Sequence, residues 1–141
     1  EYDKAVNDLT KTIELKPDYA SAYANRGNAY STLEQYDKAV KDFEMAIELN
    51  PDDYVSYFVR GLVYYRMGQY QKALKDFDST TYIEANWCRE DPTCSEDDMT
   101  SADYEFLKQV FTAKQILLEE HPELSERDII PRDLFDSRRK P

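Results

Sequence analysis

The sequence predicts an all-helical protein built from a repeated pair of helices, and three observations lead to this fold class. First, the segment YDKAVKDFEMAIELNP at residues 36–51 recurs with changes at residues 2–17 and 70–85. Second, the copies are separated by a constant 34 residues, a period typical of helical repeat architectures. Third, the chain has only three glycines, which disfavours extensive strands joined by tight turns.

Each unit is interpreted as two helices joined by a short turn, which we call the A helix and the B helix. In the B helix at residues 36–49, apolar and small side chains follow the spacing of an amphipathic helix, and Asn50 and Pro51 end it. The A helix at residues 20–33 carries a stripe of Tyr23, Gly27, Tyr30 and Leu33. Gly27 removes a side chain at a point where two helices could approach closely.

These residues, at their fixed offsets, resemble the tetratricopeptide repeat (TPR) family. The unit at 20–53 matches at Tyr23, Gly27, Tyr30, Tyr36, Ala39, Phe43, Ala46 and Pro51. The next unit matches at Tyr57, Gly61, Tyr64, Tyr70, Ala73 and Phe77, but has Thr80 in place of a small alanine and Ala85 in place of the closing proline. The resemblance implies a right-handed superhelix whose A helices line a concave face that binds proteins or peptides.

The predicted organisation follows from this register. We expect a partial repeat at 1–19 with only a B helix (2–15), a complete repeat at 20–53, a repeat at 54–87 that is degenerate at its end, an acidic insert at 88–100, a C-terminal capping helix at 101–121 and a tail at 122–141. The predicted helices of the two repeats are 20–33, 36–49, 54–67 and 70–84. Thr100 and Asp103 form a capping box for a helix at 101–120, and Pro131 opens a short helix through Asp136. Because residue 2 already begins a B helix, we expect the chain to be an excerpt from a longer array.

Charge and apolar content exclude several classes of partner. A net charge of −11 disfavours nucleic acid, whose phosphates are neutralised by Lys and Arg. No apolar run is long enough to span a membrane, and we expect a cytoplasmic protein. Eight acidic residues and only Arg89 as a base lie between Glu84 and Glu105, which predicts either a solvated loop or a docking patch for a basic partner.

Neither catalysis nor metal binding is expected. The single histidine, His121, stands at a predicted helix end, and no Ser or Cys lies in a nucleophile motif. Cys88 and Cys94 are too few for a zinc site, and could be free thiols or a local disulfide. A calcium loop from Asp91 fails because Glu96 replaces the glycine that its turn requires. We therefore expect no cofactor and no enzyme activity.

The residues expected to line the concave groove differ in chemistry between the two A helices. The first contributes small and polar residues, and the second, at 54–67, is apolar almost all round, which is typical of a buried helix. The candidate binding residues are Asn25, Asn28 and Arg66 as polar contacts, with Val55, Phe58, Val59, Leu62 and Tyr65 as an apolar floor. The sequence thus predicts a scaffold for an external peptide, or a groove filled by the chain's own C-terminal region.

Two alternatives are open. The incomplete first repeat could mediate self-association, or the fragment could be the regulatory TPR part of a larger enzyme or co-chaperone. The family also contains a carboxylate clamp for the acidic C-terminus of chaperones, but Ala24, Val55 and Val59 stand where the clamp needs Lys or Arg. A carboxylate buried there would have no cationic partner, so a clamp within these residues is not expected.

Overall fold

The computed structural model describes residues 1–90 and 101–124, except for the side chains of 84–90 and 101–104. Within these ranges all regular structure is helical: α1 (Tyr2–Leu15), α2 (Ala20–Thr32), α3 (Tyr36–Leu49), α4 (Tyr54–Arg66), α5 (Tyr70–Glu90) and α6 (Ser101–Glu120). The all-helical prediction is therefore confirmed for the described residues. The expectations for the acidic residues 91–100, for Cys94, for the short helix at 131–136 and for the rest of the tail lie outside them.

Successive helices pack as A and B partners. The A helix α2 packs on its B helix α3, and α4 packs on α5 in the same way. α1 packs on α2, α3 packs on α4, and α6 packs on α5, so each B helix is followed by an A-like neighbour. No helix in residues 1–90 and 101–124 is both long and apolar enough to cross a lipid bilayer.

The turn from A helix to B helix is the same in both repeats. The N–H of Gln35 donates to the Tyr30 carbonyl, and that of Gln69 donates to the Tyr64 carbonyl, both at 2.9 Å. The residue before each of these has a positive φ, 59° at Glu34 and 74° at Gly68. This is a Schellman ending, in which a left-handed residue lets the chain reverse and satisfies the last helix carbonyls. Glu34 takes this conformation with a side chain, at an energetic cost that Gly68 avoids.

Glycine allows the two helices of each repeat to approach closely. An added Cβ at Gly27 would lie 3.1 Å from Phe43 Cζ, and one at Gly61 would lie 2.7 Å from Phe77 Cε1. Both phenylalanines are almost completely buried. The close approach expected from the sequence is thus present in both repeats, and it is tighter in the second.

The main departure from the predicted helices is the end of α5, which runs to Glu90 rather than to residue 84. Pro17 and Pro51 follow the ends of α1 and α3, whereas Ala85 stands at the equivalent place in α5. Alanine can both donate its N–H and adopt helical angles, so the helix continues through it. α2 and α4 end one residue earlier than predicted, and α6 ends where predicted.

Candidate functional site

The open side of the A helices carries five of the predicted binding residues. Val55 and Leu62 of α4 are 45% and 36% exposed, and Arg66 lies one turn beyond Leu62 and is also exposed. Asn25 and Asn28 are exposed on the neighbouring A helix α2. We call these five residues the open face.

The other three predicted residues are covered to different degrees. Phe58 is only 7% exposed, because Phe106 of α6 packs on it edge to face, with ring centroids 5.2 Å apart. Phe106 makes a second edge contact with Tyr54 at 5.3 Å. Val59 and Tyr65 are half-buried and belong to the same cluster as Phe58. α6 therefore covers one side of α4 and leaves the open face uncovered.

Polar contacts hold α6 in this position. The Tyr65 hydroxyl donates a hydrogen bond to a Glu120 carboxylate oxygen, and this bond raises the pKa of the tyrosine. Lys114 Nζ lies 2.7 Å from Asp78 Oδ1 of α5, and both side chains are largely buried. Contacts of this kind fix the rotation of α6 about its axis, because each requires a particular side chain to face its partner.

His121 lies just after the end of α6, as predicted. Its N–H donates to the Leu117 carbonyl at 3.0 Å, and its ring stacks on Tyr70 with centroids 3.6 Å apart. Nδ1 lies 3.0 Å from Glu123 Oε1. The pKa of Glu123 is lowered, first by a hydrogen bond to backbone and then by His121. These contacts give His121 a packing role at the junction of α5 and α6.

Two buried ion pairs were missed by the sequence reasoning. Arg26 Nε and Nη2 both donate to the Asp42 carboxylate at 2.8 Å, and Arg60 donates in the same bidentate way to Asp76 at 2.8 and 2.7 Å. Burial raises the pKa of Asp76, and the bonds and charge of Arg60 oppose that shift. The sequence did contain the signal, since both arginines and both aspartates recur at the 34-residue period.

The arginines of these pairs also lie between aromatic rings. Arg60 Cζ is 5.6 Å from the centroid of Tyr57 and 5.8 Å from that of Tyr64, distances at which a cation is attracted to a ring face. Arg26 is placed alike between Tyr23 and Tyr30. Because Arg60 is bound to Asp76 and Arg26 is bound to Asp42 and to Thr10 of α1, these cations form part of the packing between helices and are not available to a ligand.

Among the side chains that the structure describes, no three His, Cys, Asp or Glu residues converge as metal ligands would. The chemistry of the open face is that of a contact surface: two aliphatic side chains, two amides and one guanidinium. Such groups can desolvate an apolar side chain and bond to a peptide backbone.

Comparison with known proteins agrees with the helical register. Two models described as tetratricopeptide repeat match residues 20–53 and 43–75, and one described as TPR repeat matches residues 1–34. Together they span residues 1–75, more than half of the chain. No curated protein matches the sequence.

Solved structures match over most of the chain. The TPR2B domain of yeast Sti1, in a complex with pHsp70, has a TM-score of 0.69 at 21% identity and covers 85% of each chain. The Sgt2 TPR domain from Aspergillus fumigatus has a TM-score of 0.62 at 22% identity, covering 98% of this chain and 83% of that one. The first TPR of Spaghetti (RPAP3), bound to the HSP90 peptide SRMEEVD, has a TM-score of 0.59 at 23% identity and covers 79% of each. With its 34-residue register, its A and B helix pairs and these matches, the chain belongs to the tetratricopeptide repeat family and has the all-helical TPR superhelix.

Proposed function

We propose that this chain is a non-catalytic protein-interaction scaffold whose open face binds a peptide or an extended segment of a partner protein. The observation that carries the proposal is the exposure of Val55 and Leu62 on an A helix whose other apolar side chains are covered by the chain itself. Covering apolar surface is worth about 25 cal/mol per Å², so two aliphatic side chains can anchor a ligand. Asn25 and Asn28 can bond to its backbone.

Two of the similar structures support a peptide as the ligand, since one is a complex with pHsp70 and another is bound to the HSP90 peptide SRMEEVD. The open face of this chain differs in one respect from the clamp that the family uses for such carboxylate-rich ends. Ala24, Val55 and Val59 stand where the clamp has cations. We therefore propose that the ligand is held by apolar contacts, with Arg66 as the only cation on the open face.

The C-terminal region takes part of the same surface in this proposal. Phe106 of α6 occupies the side of α4 that carries Phe58, and Glu120 bonds to Tyr65. The built-in segment would fill that side permanently, and the external ligand would use Val55 and Leu62 beside it. Phe58, Val59 and Tyr65 would then support the binding surface from beneath.

A peptide selection tests this function. The whole chain is used to select binders from a phage-displayed library of random linear peptides, and the dissociation constants of synthetic copies are measured by fluorescence polarisation. We expect Val55→Gln and Leu62→Gln each to weaken binding about tenfold, which is ~1.4 kcal/mol. Met45→Gln is the matched control, because Met45 is 36% exposed on the B helix α3. Binding that is insensitive to both groove changes, or a failure to select any binder, would overturn the proposal.

A second candidate function, self-association through α1, also has an observation in its favour. α1 has no buried residue, whereas the equivalent helix α3 has four. Tyr2 and Leu15 are exposed at its two ends. If this face pairs with another copy, light scattering should give a mass that rises with concentration, and Leu15→Lys should abolish that rise. A monomer mass at all concentrations would exclude this function for these residues.

A further inference from the structure

α6 occupies the position of the A helix that would follow α5 in a further repeat. In the preceding repeat, Val63 of α4 is buried against Ala39 and Phe43 of α3. Val110 of α6 is buried in a cluster that includes Ala73 and Phe77, which follow those two residues by 34 positions. Val110 follows Val63 by 47 positions, thirteen more than the period, so α6 takes the place of the next A helix after a thirteen-residue insertion.

The same offset of 47 identifies which side of α6 continues the open face. Leu62 of α4 corresponds to Gln109 of α6, which is exposed, and Arg66 corresponds to Ala113. Ile116 lies seven residues after Gln109 and therefore on the same side of the helix. It is 45% exposed, an aliphatic side chain left in solvent on the side that faces the groove.

Two contacts between α6 and α4 bracket the position of Ile116 along the groove. Phe106 packs on Phe58, and Glu120, about four turns later in α6, bonds to Tyr65, which lies about two turns after Phe58 in α4. Ile116 follows Phe106 by ten residues and precedes Glu120 by about one turn, so it lies between these two contacts, beside the part of α4 that runs from Phe58 to Tyr65. That part of α4 carries Leu62. Leu62 and Ile116 are therefore two exposed apolar side chains on neighbouring helices that face the same groove.

We infer that α6 is a third wall of the binding groove and that Ile116 is a ligand anchor paired with Leu62. This inference rests on the proposed function and adds the class of ligand: an extended peptide with two apolar side chains, flanked by an acidic residue. The acidic residue follows from Arg66, which is exposed one turn beyond Leu62 and makes no salt bridge with the described residues. A ligand that crosses α2, α4 and α6 spans about 20 Å, which an extended peptide covers in about six residues.

Another exposed side chain on α6 provides the control. Phe111 is 56% exposed and corresponds through the same offset to Tyr64, which packs toward the B helix α5 rather than into the groove. Phe111 therefore lies on a different side of α6 from Ile116, although both are large, apolar and exposed. A ligand in the groove would contact Ile116 and leave Phe111 free.

The test uses peptides selected on the intact chain from a phage-displayed library of random heptapeptides, with dissociation constants measured by fluorescence polarisation. We expect Ile116→Gln and Leu62→Gln each to weaken binding about tenfold, and Phe111→Gln to change it by less than about twofold. Circular dichroism melts verify that each variant is folded. The selected peptides should share two apolar positions and an acidic one.

Each result tests either the inference about Ile116 or the proposed function on which it rests. If Leu62→Gln weakens binding and Ile116→Gln does not, the third wall is wrong and the proposed function stands. If Phe111→Gln weakens binding as strongly as Ile116→Gln, the peptides bind the other side of α6 and the inference is overturned. If no groove variant affects binding, the proposed function fails together with the inference.

Discussion

Replacing Gly61 by alanine should destabilise the protein, whereas the same change at Gly27 should be nearly neutral. A Cβ at Gly61 would lie 2.7 Å and 2.9 Å from two ring atoms of Phe77 and 3.2 Å from Asp76 Cβ. Non-bonded carbons prefer about 3.5–4.0 Å, so the ring would have to move by about 0.8 Å. Phe77 is almost completely buried among side chains of α4, α5 and α6, so its ring can move only by displacing them.

Two opposing contributions determine how much the free energy of unfolding changes. Overpacking of a tight core costs about 1–3 kcal/mol, and replacing glycine by alanine within a helix returns about 1 kcal/mol. The net effect at Gly61 is a loss of up to about 2 kcal/mol. A Cβ at Gly27 would lie 3.1 to 3.2 Å from the nearest ring atoms of Phe43. The ring therefore has to move less, and the two contributions nearly cancel.

Urea unfolding followed by far-UV circular dichroism measures both variants against the wild type. A further variant, Gly61→Ala combined with Phe77→Leu, tests the cause, because the smaller side chain should remove much of the penalty and make the two changes non-additive. If Gly61→Ala proves as stable as Gly27→Ala, the close approach of α4 to α5 is not what limits this position, and the reasoning fails.

Four further predictions follow from other contacts. Asp76→Ala should cost about 3–5 kcal/mol in a urea melt by leaving a buried arginine unpaired, whereas Asp8→Ala, at the exposed equivalent position of α1, should change stability by less than about 0.5 kcal/mol. Glu34→Gly should raise stability by about 0.5 kcal/mol because φ is 59° there, and an unchanged melt would mean that the turn is not strained. Hydrogen exchange should open residues 2–15 before α3, since α1 buries none of its residues, and equal protection would indicate a partner on α1. Phe106→Ala should destabilise the protein by about 2 kcal/mol and increase binding of a hydrophobic dye, because it uncovers the apolar side of α4; unchanged dye binding would show that this side stays closed without the ring.

Helix positions were predictable wherever a starting tyrosine and a stopping proline recur at the period. α3 begins and ends where the sequence indicates, since Tyr36 opens the copied segment and Pro51 follows its end. At the end of α5 the stop signal is missing, because Ala85 stands at the place of that proline. The extra turns of α5 were therefore not predicted.

The buried Arg–Asp pairs were not predicted because a charged side chain in an amphipathic helix is ordinarily assigned to the solvated side. Arg60 and Asp76 are brought together by the close packing around Gly61, and this proximity exists only once α4 and α5 are paired. Their recurrence at the period was visible, since Arg26 and Asp42 stand 34 residues earlier. Periodicity of charged residues is thus informative in a repeat protein in a way that composition is not.

α4 explains why the candidate site could be predicted only in part. A helix that is apolar all round has no single buried side, so its sequence does not indicate which neighbouring helix covers which of its sides. In the structure Val63 faces α3, Gly61 faces α5 and Phe58 faces α6 through Phe106, which accounts for three sides of the helix. The fourth side carries Leu62, and no described segment covers it. The position of α6 therefore decides which apolar residues of α4 remain for a ligand, and a binding face in this chain is defined as much by its C-terminal helix as by the repeat itself.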